Sequence, residues 1–138
     1  MDYDVEKFKI IELPKISDIR GNLSVCEFKK HIPFEAKRIF FIYQVPLVEI
    51  RGQHAHKECH QFLMCVRGSI KALADDGFHR KEFILNSPNF GLYLPPMVWG
   101  AQYNYSPDAF LIVFASEFYE ASDYIREYSE FESMIGVK

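Results

Sequence analysis

The chain has 138 residues, 49% of them hydrophobic and 25% charged, a length and balance that suit one domain over residues 1–138 and exclude both intrinsic disorder and a two-domain cofactor enzyme. A formal net charge of −3 supplies no general pull toward nucleic acid or an anionic membrane surface, so neither is expected as a partner. Aromatic residues make up 16%, with 13 Phe and 8 Tyr against one Trp, a composition that favours strands.

The opening residues Met1 to Lys7 lack the basic start and apolar run of an export signal, and no apolar stretch approaches the roughly 18 residues needed to cross a bilayer. The cysteines, Cys26, Cys59 and Cys65, include no Cys-x-x-Cys pair. An odd count without an export signal reads as free thiols in a reducing compartment, which places the protein in the cytoplasm. Short apolar, aromatic and β-branched runs then follow one another with turn residues between them. They predict strands over Lys7 to Leu13, Leu23 to Phe28, Arg38 to Val45, Gln61 to Val66 and Ser69 to Ala74. Four more are predicted over Phe78 to Leu85, Gly91 to Leu94, Val98 to Tyr103 and Phe110 to Ala115. Asp75-Asp76-Gly77 marks a hairpin, because Gly relieves the positive φ of such turns. From Ala121 to Ile135 the spacing of Tyr124, Ile125, Tyr128, Phe131 and Ile135 predicts a helix, with Ser122 and Asp123 as its N-caps. The fold class is all-β: a small β-barrel with a C-terminal α-helix laid against it.

The densest chemistry lies between Arg51 and Gln61, where His54, His56 and His60 fall within seven positions. On a strand, His54 and His56 share a face, because side chains repeat every two residues. Two imidazoles in one pocket could take and give protons near neutral pH; a metal pair or a polar edge strand is the alternative. Metal-binding barrels of the cupin type add a Glu after His-x-His and a further His after a later Pro and Gly. Here Gln61 stands where that Glu is expected, and Gly91 to Gly100 contains no His. A neutral amide is a poor ligand for a divalent ion, so the sequence favours a cupin (jelly-roll) barrel without metal. His31 and His79 read as solvated residues.

The chain resembles the nucleotide-sugar 3,4-ketoisomerases of the WxcM-like cupin family over nearly its whole length. The resemblance is carried by Asp18-Ile19-Arg20-Gly21-Asn22-Leu23, by Pro33-Phe34 with Lys37-Arg38, and by the run from Arg51 to Lys57. Asp75-Asp76-Gly77, Leu85 to Pro88, Gly91-Leu92-Tyr93 with Val98-Trp99, Ala115 to Tyr119 and Asp123 to Tyr128 continue it. Their order and spacing together are specific. It implies a metal-free, cofactor-free homodimer acting on a dTDP-linked 4-keto-6-deoxyhexose, and the aromatic C-terminal segment offers apolar surface for dimerisation. The implied reaction moves a ketone from C4 to C3 through an enediol. His56 is the expected base at carbon, with His54 assisting proton movement between the oxygens or orienting its neighbour. Arg20, Arg38, Arg51 and Lys71 are the candidate diphosphate contacts, Arg38 and Arg51 foremost, since arginine's planar fork suits phosphate oxygens. Gln61, Trp99 and Tyr103 complete the candidate substrate-binding set. The chain departs from the family pattern at Gly100, where His is usual, at Phe40 and Phe41, where tyrosines are common, and at His60, often Glu. A non-catalytic nucleotide-sugar-binding cupin and a dTDP-sugar 3,5-epimerase remain open, although the His-Ala-His segment and Asp123-Tyr124-Ile125-Arg126 favour the ketoisomerase.

Overall fold

Strict alternation along single strands decides the architecture. In the computed structural model, which describes residues 5–136, the strand Arg38–Tyr43 turns Arg38, Phe40 and Ile42 inward and leaves Ile39, Phe41 and Tyr43 exposed. The facing strand Phe110–Ala115 buries Leu111, Val113 and Ala115 in the same rhythm. In chain order the strands are β1 (Lys9–Glu12), β2 (Lys15–Asp18), β3 (Gly21–Ser24), β4 (Arg38–Tyr43), β5 (Arg51–His56) and β6 (Gln61–Arg67). There follow β7 (Ile70–Asp75), β8 (Arg80–Leu85), β9 (Phe90–Leu94), β10 (Trp99–Tyr103) and β11 (Phe110–Ala115). A 3-10 turn (Ala121–Asp123), β12 (Tyr124–Ile125) and the helix α1 (Tyr128–Ile135) end the chain.

Two five-stranded antiparallel sheets form, ordered β1-β9-β6-β11-β4 and β12-β5-β10-β7-β8, with β2 and β3 as a separate hairpin. Leu63, Ile70, Ala72, Leu85, Leu92 and Leu111 belong to the main core. No strand pair among the described residues joins the two sheets, so the architecture is a jelly-roll sandwich rather than a closed barrel. Residues 1–4, on which the reading of no export signal partly rests, lie outside the described residues. Among the described residues no helix is long and apolar enough to cross a membrane.

Two predicted elements are corrected. The strand expected over Leu23 to Phe28 ends at Ser24, opposite Lys15, the first residue of its partner β2. Beyond it the chain turns: the Lys30 and His31 amides donate to the Glu27 carbonyl, and the Glu27 amide donates to His31 Nδ1 at 2.8 Å. His79, read as solvated, faces the buried Asp76 carboxylate at 3.2 Å. The helix expected from Ala121 spans only Tyr128–Ile135, because Tyr124 and Ile125 pair with His56 and Ala55 instead. Ser122 and Asp123 therefore cap nothing; Glu127 occupies the N-cap without a side-chain bond, and Gly136, at φ 84, closes the C-terminus in the left-handed region.

The helix docks through Phe131, which is 0% exposed and packs with Ala55, Trp99 and Ile125 on the outer side of β5. The aromatic side chains expected to supply a dimer surface are thus partly spent within the chain. Phe131→Ala is predicted to destabilise the fold by about 3–5 kcal/mol, the usual cost of emptying a buried Phe site. Urea unfolding checks it, as a lower midpoint at an unchanged slope.

Candidate active site

β5 carries the histidines, and one irregularity in it shapes the site. Gly100 pairs with His54 but Gln102 pairs with Arg51, so β5 holds one residue more than β10 over this stretch. The extra residue is accommodated at Gly52, whose φ of 69 suits glycine. A Cβ there would sit 2.2 Å from Gln102 Oε1. The bulge resets the alternation, so Arg51, three residues before His54, joins the same cavity. That cavity, about 230 Å³, is lined by Arg51, His54, Gln61, Gln102, Tyr124 and Arg126, with Phe40, Ile42, Leu63 and Val113 as its apolar wall.

His54 forms part of the cavity wall, and His56 lies beside it at 4.9 Å between ring centroids, nearly perpendicular. The Tyr124 ring packs on both, 4.4 Å from His56 and 4.9 Å from His54. His56 is 4% exposed; its Nδ1 lies 2.8 Å from Asp123 Oδ2, while Nε2 is buried without a partner. The other Asp123 oxygen accepts from the Glu58 amide at 2.7 Å.

Cations surround the pair. Arg38 shares the inward face of β4 with Phe40; its guanidinium carbon is 5.3 Å from the Phe40 ring and 5.7 Å from that of Tyr119, with Nε buried and unpartnered. Arg126 lies over Tyr124 at 4.4 Å. Among the described residues no ion pair engages Arg38, Arg51 or Arg126. Burial first, then His56, Arg126 and Arg38, lower the pKa of His54 to about 3. Burial also lowers that of His56, but there the Asp123 hydrogen bond and charge pull the other way. Burial opposes the Asp123 charge, yet its hydrogen bonds from His56 and from the Glu58 and Cys59 amides hold the carboxyl below its ordinary value.

His54, Gln61 and Arg51 thus meet at one cavity, with His56 and Arg38 adjoining it. Four expected contacts lie elsewhere. Trp99 and Tyr103 stand on the opposite face of β10 from Gln102: Trp99 packs on Tyr128 and Phe131, and the Tyr103 hydroxyl bonds Glu82. Lys71, paired in register with Tyr103, also faces Glu82. Arg20 is exposed at the β2–β3 turn and bonded to Asp18. Sequence reasoning missed Gln102, Asp123, Tyr124 and Arg126. Counting alternation outward from Gly100 would have found Gln102. His60 faces away from the cavity, its Nδ1 2.6 Å from the Tyr93 hydroxyl.

His56, Cys59 and Asp123 each bring one possible metal-ligand atom within 4.8 Å of the others. His56 Nδ1 and Asp123 Oδ2 are bonded to each other, and the Cys59 thiol lies 3.3 Å from the His60 carbonyl. A second cavity, about 400 Å³, opens beyond Asp123 between Lys37, Lys57, Glu58 and Glu117, where the charges are mixed and no histidine is present.

The FdtA family model, described as WxcM-like, C-terminal, matches residues 6–136. The chain belongs to this family. It is 42% identical over 127 residues to a TDP-4-oxo-6-deoxy-alpha-D-glucose-3,4-oxoisomerase of Aneurinibacillus thermoaerophilus, covering 92% of this chain and 91% of that protein. A 3,4-ketoisomerase from Helicobacter canadensis superposes with a TM-score of 0.89 at 42% identity, over 94% of this chain and 98% of that one. A histidine-to-asparagine mutant of the 3,4-ketoisomerase QdtA from Thermoanaerobacterium thermosaccharolyticum, in complex with TDP-4-keto-6-deoxyglucose, gives 0.90 at 35% identity over 95% of each chain.

For this FdtA-family protein the buried histidines set a pH dependence of stability. Between an ordinary value of 6.5 and a folded value of about 3, an unfolded His54 binds a proton that the folded one does not. Stability is therefore full above about pH 6.5 and falls as pH drops, by up to about 1.4 kcal/mol per pH unit for each such group. His56 and His60, also lowered, act in the same sense. The urea midpoint should fall between about pH 7 and pH 5, and His54→Asn should flatten that slope. Equal midpoints at the two pH values would mean that the imidazoles titrate normally in the fold.

Proposed function

We propose that the protein moves the keto group of dTDP-4-keto-6-deoxy-D-glucose from C4 to C3. The observation that carries this reading is a pair of low-pKa imidazoles, His54 in the cavity wall and His56 beside it, with Arg51 and Arg126 in that wall and Arg38 adjoining, all three free of ion pairs, in a family with a named 3,4-oxoisomerase relative. The arginines suit a diphosphate, and the half-apolar wall suits a deoxysugar.

The reaction needs no external oxidant. A base takes the C3 proton, the electrons form a C3=C4 double bond, and O4 becomes protonated. Loss of the O3 proton and delivery of one to C4 then leave the ketone at C3. His56 takes the proton at carbon: its carboxylate neighbour favours the imidazolium that results, whereas His54, at about 3, is too weak a base and serves as a neutral donor and acceptor between the oxygens. Phe40 cannot donate a hydrogen bond, so Gln61 and Gln102 supply the neutral polar contacts of the wall. No metal or cofactor enters this scheme, because proton transfer at a carbon beside a carbonyl is within the reach of imidazole alone. The product would feed 3-amino-3,6-dideoxyhexose synthesis for surface O-antigen glycans, in the cytoplasm, from a single catalytic domain.

Proton NMR of the substrate in D₂O with chelator-treated protein tests the reading. New 3-keto signals with deuterium at C4 are expected, and His56→Asn should slow turnover by about 10²–10⁴-fold, the usual contribution of a general base. An unchanged spectrum despite binding would point to a non-catalytic sugar-binding cupin. Activity that needs a divalent ion restored would overturn metal independence.

We also propose a homodimer, supported by the edge strand β4, which exposes Ile39, Phe41 and Tyr43 at 48%, 54% and 55%. Light scattering should give twice the chain mass, and Phe41→Asp should halve it. A monomeric wild-type protein would remove the proposal.

A further inference from the structure

We infer that Tyr124 is a positioning residue: its ring, and not its hydroxyl, holds the His54 imidazole in its plane at the cavity wall. The catalytic consequence rests on the isomerase reading, but the packing does not.

The two histidines of β5 are held by different means. His56 is 4% exposed, and its Nδ1 is bonded to Asp123 at 2.8 Å. His54 lines the cavity, and among the described residues no hydrogen bond reaches its ring. The strand fixes where the Cβ of His54 points, but the terminal torsion of a histidine is broad, so the plane of the ring is left to its neighbours. Two rings bear on it. His56 meets it nearly perpendicular at 4.9 Å, and Tyr124 lies at 4.9 Å with the planes 60° apart. Tyr124 also packs on His56 at 4.4 Å, so one ring sets the relation between the other two.

Tyr124 can act as a wedge because it is itself fixed. It pairs in the β-ladder with His56, and the carbonyl just before it, that of Asp123, accepts from the Lys57 amide. The Arg126 guanidinium lies 4.4 Å from the centre of its ring, and the Tyr119 ring lies at 5.6 Å. Its hydroxyl makes no hydrogen bond among the described residues, so the fold uses the flat ring alone. Phenylalanine should therefore replace it. Leucine keeps apolar volume but has no flat face to set the imidazole plane.

Kinetics separate the ring from the hydroxyl. A misplacement of about 1 Å can cost about 10²-fold in rate, so Tyr124→Leu should lower kcat by about 10²-fold with KM changed by roughly threefold or less. Tyr124→Phe should keep kcat and KM within about twofold of wild type, because the positioning face is intact. Relaxation of the histidine ring carbons in ¹³C-labelled protein, without substrate, reads the packing directly on the ps–ns timescale. The His54 ring, identified by the signals missing from His54→Asn, should be rigid in wild type and in Tyr124→Phe, and mobile in Tyr124→Leu. A mobile His54 ring in the wild type would overturn the inference, and so would a rigid one in Tyr124→Leu. A Tyr124→Phe protein that loses about 10²-fold in kcat would make the hydroxyl the working group and overturn it too. So would a Tyr124→Leu protein with wild-type kcat. Should the leucine variant not fold, wild-type relaxation and the phenylalanine kinetics still decide. A wild-type protein that does not turn over the sugar, yet whose His54 ring loosens in Tyr124→Leu, would sink the isomerase reading and leave the wedge standing.

Discussion

The two-residue pairing of Tyr124 and Ile125 with His56 and Ala55 holds the site and the C-terminal end of the chain together. Alternation makes it act on both sides of β5 at once. Outward, Ala55 is small enough for Ile125, Phe131 and Trp99 to close over it, and this apolar cluster holds the last segment down. Inward, the same register lays the Tyr124 ring on both imidazoles, while Asp123 and Arg126 sit just before and just after the pairing. The packing of a hydrophobic tail and the electrostatics of the histidine pair are therefore two consequences of one short ladder.

That ladder also explains an imbalance of charge. Arg38, Arg51 and Arg126 gather around imidazoles whose proton affinity burial already lowers, and among the described residues the carboxylate bonded within this group is Asp123, committed to His56. Arg38 and Arg126 place a positive field on both imidazoles. An anion held beside the arginines would offset that field at the histidines and raise their affinity for protons, a coupling through space that needs no moving part.

Much of this was legible in the sequence, and what was not has two physical causes. Turn residues and alternation located most strands, and His-x-His announced two imidazoles on one face because period two is a local property. The helix expected from Ala121 failed because the spacing of Tyr124 and Ile125 suits a helix, yet a partner 67 residues earlier in the chain claims the adjacent Asp123. Asp123 looked like a cap for the same reason: a carboxylate that satisfies a distant imidazole and amide cannot be told, from sequence, from one that satisfies its own helix. Trp99 and Tyr103 differ in cause: both lie one step out of phase with Gln102 and so face away from the cavity.

Gly52 shows how a single backbone choice can decide a site's membership. Without an extra residue in β5, Arg51 would alternate to the face opposite His54 and its guanidinium would leave the cavity. Absorbing that residue requires a positive φ, which glycine adopts at no steric cost. The absence of a side chain at the same point is what lets the Gln102 amide approach the strand, since a Cβ would overlap it. A bulge, a cation and a neutral polar group therefore stand or fall together, and the glycine before His-x-His is a part of the site that never touches the chemistry.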